Sequence, residues 1–182
     1  MTEKYDKAQI ALHWLIALLI FVTFPLGLYM ADLKPSPTVL RLYSYHKWIG
    51  VTIFFLVALR LAWRATHGVP GPIAGMPRWQ EIASKAIHHS LYLLMVAVPL
   101  SGWLMSSAEG FQTVWLGLVP LPDLLEKNKA LGETLGDVHE TLNWIMLALV
   151  AVHLAAALKH HFVDRDGLLL RMNPFGARGT SR

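Results

Sequence analysis

The stretch Val138–Leu158, VHETLNWIMLALVAVHLAAAL, decides the reading of this chain. It is long enough to cross a bilayer as a helix, which takes about 20 apolar residues. Yet it carries a histidine towards each end, His139 and His153. Ionisable side chains inside a membrane are costly and mark a function by default. At about 100° per residue the fourteen-residue interval leaves both rings within about 40° on one helix face, about 21 Å apart along the axis. That arrangement suits two cofactors stacked across one membrane.

Three further apolar runs precede it, so the expected spans are about residues 10–30, 46–63, 86–105 and 138–158. Hydrophobic residues make up 54% of the chain, charged residues only 15%, and the mean hydropathy is +0.43. Soluble domains carry more charge. The expected fold is all-α, an integral membrane four-helix bundle in a single domain over residues 1–182. The first run reads as a retained anchor rather than a signal peptide, because it has full membrane length and no small-residue cleavage site follows. With no cysteine, disulfides, thiolate metal sites and covalent c-type haem attachment are excluded.

Between the spans, Val39–Tyr45 reads as a short surface segment and His67–Pro77 as a Gly/Pro-rich loop. Phe111–Leu121 is too short and proline-bounded to span, and reads as an interfacial helix or lid. The tail, Phe162–Arg182, is basic and reads as surface-bound or loose. Of the 16 lysines and arginines, eleven, including Arg178 and Arg182, fall in the N-terminus, the second loop and the tail. The positive-inside bias then places both termini in the cytoplasm.

With that orientation, helix rise assigns depth. His46 and His139 both follow outer loops, and each begins a span. His13 lies about one turn into the first span, and His153 reaches a similar inner depth. The pairs are therefore His46 with His139 outside and His13 with His153 inside. Each brings two imidazoles from different helices together, as a six-coordinate haem iron requires. Histidine-bound zinc or copper is the competing reading, weakened by the scarcity of carboxylates and thiolates at each level.

Fourteen residues after His46 comes Arg60, a cation at the inner level suited to a haem propionate or to snorkelling towards the surface. Gly27 stands in the same relation to His13, and Gly50 lies one turn after His46, where a porphyrin needs close approach to backbone. His88, His89, His160 and His161 gather at the inner ends of the last two spans. An imidazole there suits hydrogen bonding to a quinone carbonyl and proton relay, or simple interfacial anchoring. His88 is also the rival for an inner ligand, expected shallower than His153. His67, in the Gly/Pro loop, is expected to be solvated.

The stretches ALHWLIALLI around His13, YHKWIGVTIFFLVALRL from His46 to Arg60, HHSLYLLMVAVPLSGWLM, VHETLNWIMLALVAVHLAAALKHHF and LLLRMNP resemble the bacterial cytochrome b561 family. The resemblance covers nearly the whole chain. It implies a diheme b-type cytochrome of the bacterial inner membrane, with His13, His46, His139 and His153 as axial ligands. One branch of that family oxidises superoxide to oxygen at the periplasmic side and reduces ubiquinone. Residues matching its quinone side are His88 and His160, with Ser101 added. Lys127 and Lys129 would draw in an anionic substrate, partly offset by Glu126, Glu133, Asp137 and Glu140.

The expected partners are membrane lipid, ubiquinone and superoxide. The rival readings are a haem electron-carrier subunit docking a dehydrogenase or hydrogenase partner, and a non-redox metal-binding scaffold or transporter. No nucleic-acid role is expected, because anionic lipid and topology account for the basic tail.

Overall fold

The computed structural model describes residues 4–73 and 75–175, so Arg178 and Arg182 lie outside the described residues. Four long helices, each apolar enough to cross a membrane, make up most of it: α1 Lys7–Ala31, α2 Pro37–His67, α3 Arg78–Ala108 and α4 Lys129–Lys159. The ends towards His46 and His139 are called outer and the opposite ends inner.

The starts of α1, α2 and α4 are written in their capping residues. Asp6 accepts from the Gln9 amide at 2.9 Å, Ser36 from Val39 at 3.2 Å, and Asn128 from Leu131 at 3.1 Å, each satisfying a donor the helix cannot. Pro37 follows Ser36 at the first helical position, where its missing N–H costs nothing. These signals start α2 and α4 well before the apolar runs. Val39–Tyr45 is therefore not a separate surface segment but the outer end of α2. At 31 residues, α2, α3 and α4 each extend about 46 Å, beyond a hydrocarbon core of about 30 Å.

Phe111–Leu121 is not a helix either. It forms a two-stranded hairpin, β1 Val114–Trp115 and β2 Val119–Pro120, with Val114 opposite Pro120 and Trp115 opposite Val119. Leu116 (φ 54) and Gly117 (φ 71) supply the two left-handed residues that a tight hairpin turn needs. The hairpin is pinned to α2: Trp48 Nε1 donates to the Val114 carbonyl at 2.6 Å, Trp115 Nε1 to Thr52 Oγ1 at 3.1 Å, and Lys47 Nζ to the Phe111 carbonyl at 3.1 Å.

Packing is uneven around the bundle. Helix α1 lies along α2, α2 along α3, and α3 along α4, but the backbone of α4 stands apart from α1 and α2. Two buried clusters fill the middle. Ile16, Ile53 and Val57 form one, Leu94, Val98 and Met146 the other, and Ile20 and Met95 touch both. Large apolar side chains such as Leu18, Phe21 and Leu93 face outward, as lipid-facing residues do.

The tail is not loose over its described part. A short 3₁₀ turn, Leu169–Met172, seats against the inner end. Trp14 Nε1 donates to the Met172 carbonyl at 2.7 Å and buried Arg171 donates through Nη1 to the Gly71 carbonyl at 2.6 Å. Gln9 Nε2 donates to Gly68 at 2.8 Å nearby, so the N-terminus, the α2–α3 loop and the tail form one inner floor.

Candidate functional site

The four histidines project from three helices into the gap that α4 leaves beside α1 and α2. At the outer level the rings of His46 on α2 and His139 on α4 have centroids 6.3 Å apart, tilted by 80°. At the inner level His13 on α1 and His153 on α4 are also 6.3 Å apart, tilted by 55°. These are the two pairs expected from helix rise.

The spacing suits a shared metal. Two metal–nitrogen bonds of about 2 Å, plus about 1.1 Å from each nitrogen to its ring centre, would put two imidazoles that share a metal about 6.2 Å apart. Direct ring stacking or a hydrogen bond between imidazoles would bring them closer. The donor set of each pair is two nitrogens with no thiolate, which fits haem iron better than a tetrahedral zinc site.

Neighbouring groups hold the outer rings in place. Ser101 Oγ donates to the Val98 carbonyl at 2.8 Å, so its hydrogen is committed. His139 Nδ1 lies 3.0 Å from both that carbonyl and Ser101 Oγ. Facing acceptors only, Nδ1 carries the proton and Nε2 keeps its lone pair for a metal. Thr23 Oγ1 sits 3.2 Å from His46 Nδ1 in the matching position. Ser101 thus belongs to the outer pair, not beside His88 and His160.

Glycines complete this outer site. A Cβ on Gly27 would lie 3.0 Å from His46 Cε1, and one on Gly102 would lie 3.0 Å from His139 Cε1. Either methyl group would push the ring it touches. Gly50 is different: a Cβ there meets nothing within 4 Å, leaving open space against α2 at the outer level. Gly102 was missed in the sequence because its partner is on another helix.

The inner pair is less complete. His13 Nδ1 is buried without a hydrogen-bond partner among the described residues, an unusual state for a buried polar atom. His88 reaches the depth of His153 after all, with ring centroids 5.1 Å apart and planes at 84°. It was expected shallower because α3 was taken to start at residue 86, whereas it starts at Arg78. Its Nδ1 is 2.6 Å from the Ser84 carbonyl, one turn back.

Arg60 does not snorkel. Its Nε donates to Tyr92 Oη at 3.0 Å and its Nη1 to the Gln9 carbonyl at 2.6 Å, tying α2 to α3 and α1 at the inner level. Nη2 has no partner among the described residues and is the atom left for an anion. His67 closes α2 and stacks on Trp63 at 4.0 Å, exposed as expected. His160 is buried at the end of α4, with its Nδ1 2.5 Å from Asp166 Oδ2.

Between the two levels, halfway along each fourteen-residue interval, stand Ile20 on α1, Ile53 on α2 and Met146 on α4. All three pack into the central clusters. Seven residues are nearly two turns, so each shares the face of the histidine before it. The result is an apolar partition between two imidazole pairs.

A family model described as prokaryotic cytochrome b561 matches residues 4–175. The chain is 34% identical over 177 residues to cytochrome b561 homolog 2 of Escherichia coli strain K12, covering 93% of this chain and 91% of the relative. It is 31% identical to cytochrome b561 homolog 1 of the same strain, covering 94% and 98%. It is 29% identical to a probable superoxide oxidase, CybB, of Yersinia pestis, covering 96% and 98%. With the helices and the paired imidazoles in place, the conclusion is direct: the chain belongs to the prokaryotic cytochrome b561 family, helical membrane proteins that carry b-type haem and transfer electrons.

Proposed function

We propose that this chain holds two b-type haems, an outer one between His46 and His139 and an inner one between His13 and His153. It would pass electrons from superoxide to ubiquinone. The observation that carries the reading is the repeated 6.3 Å ring separation at two levels of α4. When bound, b-type haem supplies reversible one-electron chemistry.

The chain's own residues supply position and environment. Val98, Ser101 and Thr23 fix the outer imidazoles, which sets the ligand nitrogen and raises its basicity. Ile20, Ile53 and Met146 keep water from the space between the levels. Gly50 leaves room for a flat ring against α2. Arg60 brings positive charge to the inner level.

At the outer end, superoxide as the donor is supported by the resemblance to the Yersinia protein and by cations near His46. Lys47 is the next residue, fixed over the outer end by the Phe111 carbonyl. Lys127 packs along Gly110, whereas Lys129 is partly neutralised by Glu133 at 3.7 Å. Steering of an anion by such a surface accelerates encounter and fades with salt. At the inner end, His88 and His160 are the imidazoles placed to meet ubiquinone. The excess of lysine and arginine on the inner loops supports both termini being cytoplasmic, and the bacterial relatives support an inner-membrane protein, read as one domain over residues 1–182.

The test uses purified haem-loaded protein in lipid nanodiscs with a steady superoxide source and a short-chain ubiquinone. The reading predicts haem reduction by superoxide and net ubiquinol formation. Reduction by dithionite but not by superoxide would leave an electron carrier that needs a protein partner.

A further inference from the structure

Helix α4 does not end with its last paired histidine. His160 follows His153 by seven residues, which returns it to the same face about 10.5 Å further in. There the helix widens into a single π turn, His160–Asp164, closed by Arg165 in the left-handed conformation at φ 51. Such turns gather at functional sites. This one reverses the chain so that Asp166 comes back onto the imidazole it has just passed.

Three carboxylate oxygens near that ring have defined partners. Asp166 Oδ2 is 2.5 Å from His160 Nδ1, and Asp166 Oδ1 accepts the Leu168 amide at 2.9 Å. Asp164 Oδ2 is 3.2 Å from the same nitrogen but is already taken by the Lys159 ammonium at 2.6 Å. Although His160, Asp164 and Asp166 cluster within 4.8 Å, that ammonium supplies the cation. Burial raises the Asp166 carboxyl, but the Leu168 amide and His160 outweigh it and hold the group below its usual range. The His160 ring is buried, and its Nε2 has no partner among the described residues.

A carboxylate fixed by backbone, an imidazole held through Nδ1 and a free Nε2 form the arrangement by which enzymes aim a proton. We propose that Asp166 is the positioning residue of the quinone-reducing end, aiming His160 Nε2 at a quinone carbonyl oxygen. This rests on the quinone reading above. Two superoxide ions each give up one electron and leave as dioxygen, and the quinone takes two electrons and two protons to become the quinol. His160 delivers one of those protons, the imidazolium N–H bond at Nε2 breaking as the O–H bond forms on the quinone oxygen it faces, and the opposite quinone oxygen takes the second proton from water. The ring keeps its Nδ1 proton against Asp166 and regains the other from water at the inner surface, beside exposed Lys159.

The experiment compares wild type, Asp166→Asn, Asp166→Glu and His160→Ala, all haem-loaded in nanodiscs, with superoxide and a short-chain ubiquinone. Asp166→Asn should keep both haem absorbances and a KM for quinone near wild type while kcat falls by at least about tenfold. Asp166→Glu should recover most of that loss, and added imidazole should restore turnover to His160→Ala. Wild-type kcat in Asp166→Asn, or a loss that only tracks loss of haem, overturns the role of Asp166 alone. A wild-type protein that never reduces ubiquinone overturns the quinone reading, and this proposal with it.

Discussion

Gly102 on α3 faces the imidazole of His139 on α4 so closely that a Cβ would stand 3.0 Å from Cε1. Gly102→Ala must move the ring, at about 1–3 kcal/mol for overpacking. We expect this variant, and Gly27→Ala opposite it, to lose or distort the outer haem and leave the inner one. Low-temperature EPR, in which the two centres give separate signals, checks it. Gly50→Ala meets no protein atom, so loss of the outer haem there would report a porphyrin lying on α2.

At the inner level two imidazoles compete for His153. His13 lies at 6.3 Å, the separation for a shared iron, whereas His88 lies at 5.1 Å, too close for one. His13→Ala should therefore lose the inner haem and His88→Ala should retain it. Haem-to-protein ratios of the two purified variants decide between them.

The groups behind the outer ligands carry a separate expectation. Thr23→Val and Ser101→Ala leave the imidazoles in place but remove the contacts at Nδ1. Supporting contacts of this kind are worth about 10–100-fold in metal affinity. Loss of the Thr23 contact should be the more damaging, because the Val98 carbonyl still holds His139 in the serine variant. Haem transfer to apomyoglobin measures both rates.

Asp166 gives a dependence on pH. Its carboxyl is held below the usual range in the folded protein, so the stability it adds is present above the unfolded value of about 3.9 and is lost as pH falls through the lower folded value. Wild type should melt above Asp166→Asn at neutral pH, and the gap should close below about pH 4. A gap that stays constant in acid would contradict the ion pair.

The pairing of four histidines was legible because it depends only on helix rise and on which loops flank each span. Equally legible were Arg60 at the inner level and Gly27 at the outer. What escaped were contacts between helices, such as Gly102 on His139 and Ser101 moving from the quinone side to the outer pair. Helix ends escaped as well, because caps such as Ser36–Pro37 and Asn128 lie outside the apolar runs that revealed the spans. That error also hid the depth of His88. The helix alternative for Phe111–Leu121 failed because the two adjacent left-handed residues of its hairpin turn, Leu116 and Gly117, leave little trace in composition.

The central claim is two bis-histidine centres in one chain, and haem stoichiometry tests it most directly. Pyridine haemochrome absorbance against protein from amino-acid analysis should give two b-type haems per chain, falling to one in His139→Ala with the inner centre intact. One haem per chain in the wild-type protein, or loss of both in a folded His139→Ala, would contradict it.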